Sequence, residues 1–189
     1  MFDRKKFTKM MDEYPEQANG IFIDTCIKIN SVDEIKEFVK LGINLHDKNI
    51  LDSAFVNSCS CGNINIPLYL LEKGADINAK NGQAIVRACR YDQWDNLKML
   101  LNRGIKMTQY NIVHISYQPT YEIALQIMLD HGIDPQLITN LLLEGLVKNS
   151  VHKDAIKWLI LNGSNLNDTF RMTKSIAPDN TNQEILVSI

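Results

Sequence analysis

Five glycines, Gly42, Gly74, Gly104, Gly132 and Gly163, recur at intervals of 28 to 32 residues, each three positions after an apolar pair. The pairs are Phe38 and Val39, Leu70 and Leu71, Leu100 and Leu101, Met128 and Leu129, and Leu159 and Ile160. Seven positions before each glycine stand Ile35, Pro67, Leu97, Leu125 and Ile156. Apolar residues spaced by three and four mark one face of a helix, and a glycine directly after it supplies the positive φ that ends it. A period near 30 residues that repeats without gaps points to one small unit used again and again.

The unit has a second helix. Sixteen before each glycine come Cys26, Ser58, Ala88, Ser116 and Val147, and four earlier come Phe22, Ala54, Ala84, Ile112 and Leu143. Small side chains in such a stripe let neighbouring helices approach closely, as stacked helix pairs require. Tight-turn residues such as Gly62 and Asp92 stand between the helices in some copies. After the glycine another mostly apolar column follows at Leu45, Ile77, Met107, Pro135 and Leu166. Each unit therefore reads helix, turn, helix, glycine, loop.

The second copy carries a resemblance. Leu70, Leu71, Gly74, Ala75, Asp76, Ile77 and Asn78, with Gly62 upstream, resemble the Leu-Leu-x-x-Gly-Ala-Asp-Val-Asn ending and inter-helix glycine of ankyrin repeats. His114 falls where that family has the histidine of its Thr-Pro-Leu-His start, a start that no copy here shows in full. The Ile-, Asn- and Lys-rich divergence of the copies resembles the ankyrin proteins of large DNA viruses and AT-rich eukaryotes. Tetratricopeptide repeats would need two helices of similar length and a Trp-x-x-Leu-Gly-x-x-Tyr pattern, which is missing. The resemblance covers Gly20 to about Asp168 and implies an all-α, ankyrin-type helical solenoid of about five helix-turn-helix repeats with short connecting loops. The expected units are 20–49, 50–81, 82–109, 110–139 and 140–168. Residues 1–19 read as an N-terminal cap with a helix from Arg4 to Met11 broken at Tyr14-Pro15. Residues 169–189 read as a truncated C-terminal capping repeat. Pro67 is expected in the first turn of its helix, where a missing N–H costs nothing.

Charge narrows the function. Twenty Lys and Arg against 22 Asp and Glu leave a formal charge of -2, which gives no bulk attraction to nucleic acid or an anionic membrane. The N-terminus lacks the apolar core of a secretory signal, and no apolar run reaches the roughly 18 residues of a membrane span. An intracellular chain, cytoplasmic or nuclear, not secreted and monomeric, is expected. In a reducing compartment its four cysteines stay free.

Cys59 and Cys61 invite a thiol or metal-binding reading, but a structural zinc site calls for a second ligand pair, which is absent. Their place among the small inner-helix residues suits buried core thiols better, and metal and cofactor are expected to be none. Cys59 and Cys89 occupy equivalent positions one repeat apart, and packed helices stand about 8–10 Å apart, beyond the usual disulfide reach of about 7 Å. His46, His114, His131 and His152 form no catalytic pattern, and no phosphate-cradling loop or nucleophile elbow is present, so no enzyme is expected. His114 is expected to bond loop backbone, as in the family. Leu70 with Asp76, Ile77 and Asn78 also resembles the motif that asparaginyl hydroxylases recognise in ankyrin repeats.

The resemblance implies binding of a partner protein, such as a host factor, through the concave face and loops. It points to the positions fourteen and thirteen before each glycine: Lys28 and Ile29, Ser60 and Cys61, Arg90 and Tyr91, Gln118 and Pro119, Asn149 and Ser150. The third unit stands out, with Arg87, Arg90 and Tyr91 within about one helical turn and Lys80, Asn81, Gln109 and Tyr110 in the adjoining loops. Together with Gln118 these are the candidate partner-binding residues, since Arg and Tyr are enriched at interface hot spots. An acidic or mixed protein surface is the partner they suit.

Overall fold

The structure is a computed structural model and describes residues 4–146, 153–165, 167–169 and 171. It is all-helical: the described residues contain no strand. Helices run over α1 (Arg4–Glu13), α2 (Pro15–Thr25), α3 (Val32–Lys40), α4 (Lys48–Ser58), α5 (Asn65–Glu72), α6 (Ala79–Arg90) and α7 (Trp94–Asn102). There follow α8 (Gln109–Ser116), α9 (Tyr121–Asp130), α10 (Pro135–Leu146) and α11 (Lys153–Leu161). No helix among the described residues is long and apolar enough to cross a membrane. The chain divides into two compact units, residues 1–105 and 106–189.

The helix pairs end alike because the same local bond pattern closes each of them. Gly42, Gly74, Gly104, Gly132 and Gly163 all have positive φ, between 74° and 115°. Each glycine N–H donates three residues back, as from Gly74 to the Leu71 carbonyl at 2.9 Å and from Gly104 to that of Leu101 at 2.9 Å. The next N–H reaches five back: Ile43 to Phe38, Ala75 to Leu70, Ile105 to Leu100, Ile133 to Met128 and Ser164 to Leu159, at 3.0–3.1 Å. This paired arrangement satisfies carbonyls that a helix end leaves open, and it needs a left-handed residue at the glycine position. The residues four and seven before every glycine are buried, which places the helical apolar face inward. Those three before are half-buried, except Val39, which is exposed.

In the first unit α2, α4 and α6 pack in succession, and α3 packs on α5. α1 lies against α2, and its Phe7 meets Phe38 of α3 edge-on at 5.1 Å between centroids. The break at Tyr14-Pro15 is a single joint: Pro15 is the first residue of α2, so the helix starts before Gly20. Pro67 is the third residue of α5 and is buried, where the first-turn position makes its missing N–H harmless. In the second unit α8 packs on α10, and α11 on both α10 and α9.

The turns between helices of a pair are not alike. Asp92 takes a left-handed φ of 54°, but Gly62 is not among the left-handed residues, so its turn does not demand glycine. Four of the five loops after the helix-ending glycines share a side-chain turn two residues on. Asn44, Asp76, Asp134 and Asn165 each accept, at 2.9–3.0 Å, from the backbone N–H two residues ahead. Lys106 occupies this place after Gly104. There Thr108 and Asn111 form a reciprocal capping box, and the Asn111 amide donates to the Lys106 carbonyl at 3.2 Å.

Candidate functional site

Arg87 and Arg90 lie on α6 and Tyr91 caps its C-terminus. Spacing of three and four puts them on one helical face. Arg90 is exposed, Arg87 half-buried, and Tyr91 is 45% exposed. The ion pairs of the first unit join Arg4 to Glu37, Lys9 to Glu13, Lys36 to Asp33, Lys40 to Glu37, Lys48 to Asp52 and Lys98 to Asp95. Among the described residues no carboxylate pairs with Arg87 or Arg90. Arg87 lies near enough to the end of α4 for its charge to act on the Cys59 thiol.

Lys80 and Asn81 open α6 in an unusual backbone. Lys80, Asn81 and Gly82 have φ of 50°, 64° and 72°, one turn of left-handed helix closed by the Gly82 N–H on the Asn78 carbonyl at 3.0 Å. Left-handed geometry costs roughly 1–2 kcal/mol per residue with a Cβ, least for Asn. Both side chains are exposed at this turn. Asn78, the residue of the hydroxylase-like motif, is half-buried just before it, and its N–H donates to Asp76 Oδ1 at 2.9 Å.

Gln109, Tyr110 and Gln118 belong to the second unit. Tyr110 is 37% exposed and stacks edge-on to His114 at 4.4 Å, and Gln118 Nε2 donates to the His114 carbonyl at 3.1 Å. The ring of His114 is therefore engaged with Tyr110, one turn back on the same helix. His131 Nδ1 lies 2.8 Å from the Ile127 carbonyl within its own helix end.

The column fourteen and thirteen before the glycines does not form a continuous open stripe. Lys28 and Arg90 are exposed, but Ile29, Ser60 and Cys61 are buried. Neighbouring turns lock together there. Asn63 Nδ2 donates to the Asn30 carbonyl at 2.6 Å, and the buried Asn96 Nδ2 donates to the carbonyls of Cys59 and Cys61 at 3.2 and 2.7 Å. Asn96 escaped the sequence reading. Its signal was an asparagine inside a helix, a residue that competes for backbone groups and needs a reason to stand there. Asn149 and Ser150 lie outside the described residues, as do Val147, His152, Leu166 and most of 169–189.

All four cysteines are free and buried. Burial pushes their thiols up, Cys89 to about 12, with the charge of Cys61 adding to the rise at Cys26 and Cys59. Such thiols are neutral and poorly nucleophilic near pH 7. Cys61 Sγ donates weakly to the Asn63 carbonyl at 3.7 Å. No group of three or more His, Cys, Asp or Glu among the described residues is arranged to hold a metal ion.

No protein-family model matches the chain, and no solved structure matches it. A stretch of 54 residues is 43% identical to part of a probable E3 ubiquitin-protein ligase, XBOS33, of Oryza sativa subsp. japonica. That stretch is 27% of this chain and spans about 10% of the rice protein's length.

Proposed function

We propose that this chain is an ankyrin-type stack of helix pairs that binds another protein, with Arg87, Arg90 and Tyr91 of α6 at the centre of the contact. The observation that carries this reading is the pair of arginines with no carboxylate partner among the described residues, set beside a tyrosine 45% exposed. An exposed ion pair is worth little to the folded chain, about 0–1 kcal/mol, and among the described residues these arginines form none. At an interface the same residue types contribute most, because a planar guanidinium can grip carboxylates in pairs and a tyrosine buries a rigid ring.

The first-helix layer around them supports the reading by its rigidity. α4 is buried along most of its length, and side-chain bonds fix its turns to both neighbours. A rigid platform loses little entropy on binding. The partner is a protein with an acidic patch, a host factor if the likeness to viral chains extends to origin. Lys80 and Asn81 extend the contact from the left-handed turn. We assign the chain no catalytic step.

The test is capture from cell lysate with the wild-type chain and an Arg87→Ala, Arg90→Ala, Tyr91→Ala variant of equal helix content by circular dichroism. The wild type is expected to retain a partner that the variant loses, and raised salt is expected to weaken the capture. Equal capture by both overturns the assignment of the site.

A further inference from the structure

We propose that the groove between the end of α3 and α5 is a docking site for the C-terminal residue of another protein, taking an apolar side chain and the free α-carboxylate beside it. The groove measures about 230 Å³. Val39, Ile43, Leu45 and Tyr69 give it an apolar wall, and Lys73 and His46 line it as well. Val39 marks the place independently. Its counterparts three before the other four glycines are half-buried, whereas Val39 is 39% exposed.

Charge selects an anion. Among the described residues no carboxylate lines the groove. The acids nearest in the chain are committed elsewhere. Glu37 pairs with Arg4 at 3.2 Å and with Lys40 at 2.9 Å, and Asp33 pairs with Lys36 at 2.9 Å. Asp47 accepts from the Asn49 and Ile50 N–H groups at 2.9 and 3.3 Å. Glu72 directly precedes Lys73, and adjacent residues do not face each other on a helix. Lys73 joins no ion pair among the described residues. Its Nζ stands 5.3 Å from the centre of the Tyr69 ring, which sets the cation against the apolar wall itself.

Size then selects the residue. Pockets that enclose a whole small molecule run to roughly 300–1,000 Å³, so this groove holds about one residue. The apolar group and the anion must therefore belong to the same residue. Inside a polypeptide no residue supplies both, because Asp and Glu bring the anion without the apolar body. At a C-terminus an apolar residue does, with its carboxylate bonded to the Cα that bears the side chain. Capture of a terminal carboxylate is one of the recurring ways in which a protein holds a peptide.

The experiment titrates the isotope-labelled full chain with the peptide acetyl-Ser-Gly-Ser-Gly-Leu, its C-terminal carboxylate free, and follows backbone amide shifts. Saturable shifts at Ile43, Leu45 and Lys73 are expected. Binding should weaken about tenfold or more when the peptide's end is amidated, when its leucine becomes alanine, and in Lys73→Gln, whose side chain is exposed. It should stay unchanged in Lys98→Gln, an exposed lysine of α7. No saturable shift up to about 10 mM peptide, equal binding of the amidated peptide, or equal binding when a glycine is added after the leucine would each overturn the proposal. The reading of the α6 face is unaffected by such a failure, because it is tested by a different variant and a different partner.

Discussion

The α4–α5 and α6–α7 pairs are built on one plan and differ in what they leave open. Both end in the same glycine turn, and both bury the leucine four before it, Leu70 and Leu100, completely. Around α4 the polar groups are spent on the fold. Asp52 accepts from Lys48 at 2.9 Å and from the Asp76 N–H at 2.8 Å, Lys48 reaches the Gly74 carbonyl at 2.7 Å, and Asn57 reaches that of Ile23 at 2.9 Å. On α6 Arg87 takes the place of Asn57, and Arg90 and Tyr91 take the places of the buried Ser60 and Cys61; among the described residues neither arginine has an ion-pair partner. α4 starts on an ordinary Asp47 cap, whereas α6 starts through three left-handed residues. The core specifies the repeat, and the outward polar positions are free to differ from copy to copy.

Four substitutions break or sharpen this comparison. Leu70→Ala and Leu100→Ala should each cost about 2–5 kcal/mol in urea unfolding, and by similar amounts, because the pairs are alike inside. A large difference between them would show that the two cores are not equivalent. Asn96→Ala should cost about 1–3 kcal/mol, since it leaves the Cys59 and Cys61 carbonyls without their buried donor. No loss would mean that the turns are not joined through this amide. Lys80→Gly should stabilise by about 0.5–1 kcal/mol by relieving a left-handed residue, with the rise read in the same unfolding experiment. A loss of stability would show that the Lys80 side chain contributes to the folded chain.

The parts of this fold that were legible in the sequence are those that close within one helix turn. The glycine column and the buried columns four and seven before it follow from helical period and local bonds, so residues such as Leu97 and Leu125 declare themselves. The half-buried Met107 and Ile77 were visible for the same reason. What depends on a neighbour was not visible. Cys61 and Ser60 share a register with the exposed Arg90 and Tyr91, yet Asn96 from the next pair closes over their turn. Gly62 looks like an obligatory turn glycine until its φ is known. The side-chain turn at Asn44, Asp76, Asp134 and Asn165 went unread because Lys106 interrupts the column and a capping box takes over. For the candidate site, the ankyrin resemblance pointed to Arg90 and Tyr91, which are exposed, while Arg87, within one turn of them, is half-buried. Whether a carboxylate would reach them is a question of tertiary placement.

Among the described residues of the first unit, the asparagine amides that join neighbouring pairs all donate in one direction. Asn57 and Asn63 in the second pair reach back to carbonyls of Ile23 and Asn30 in the first, and Asn96 in the third reaches back to Cys59 and Cys61 in the second. A chain is synthesised from its N-terminus, so the first and second pairs leave the ribosome with these carbonyls still hydrated and receive their donors only when the next pair follows. Assembly of the first unit by addition thus has a built-in order, in which the second and third pairs each complete the one already made.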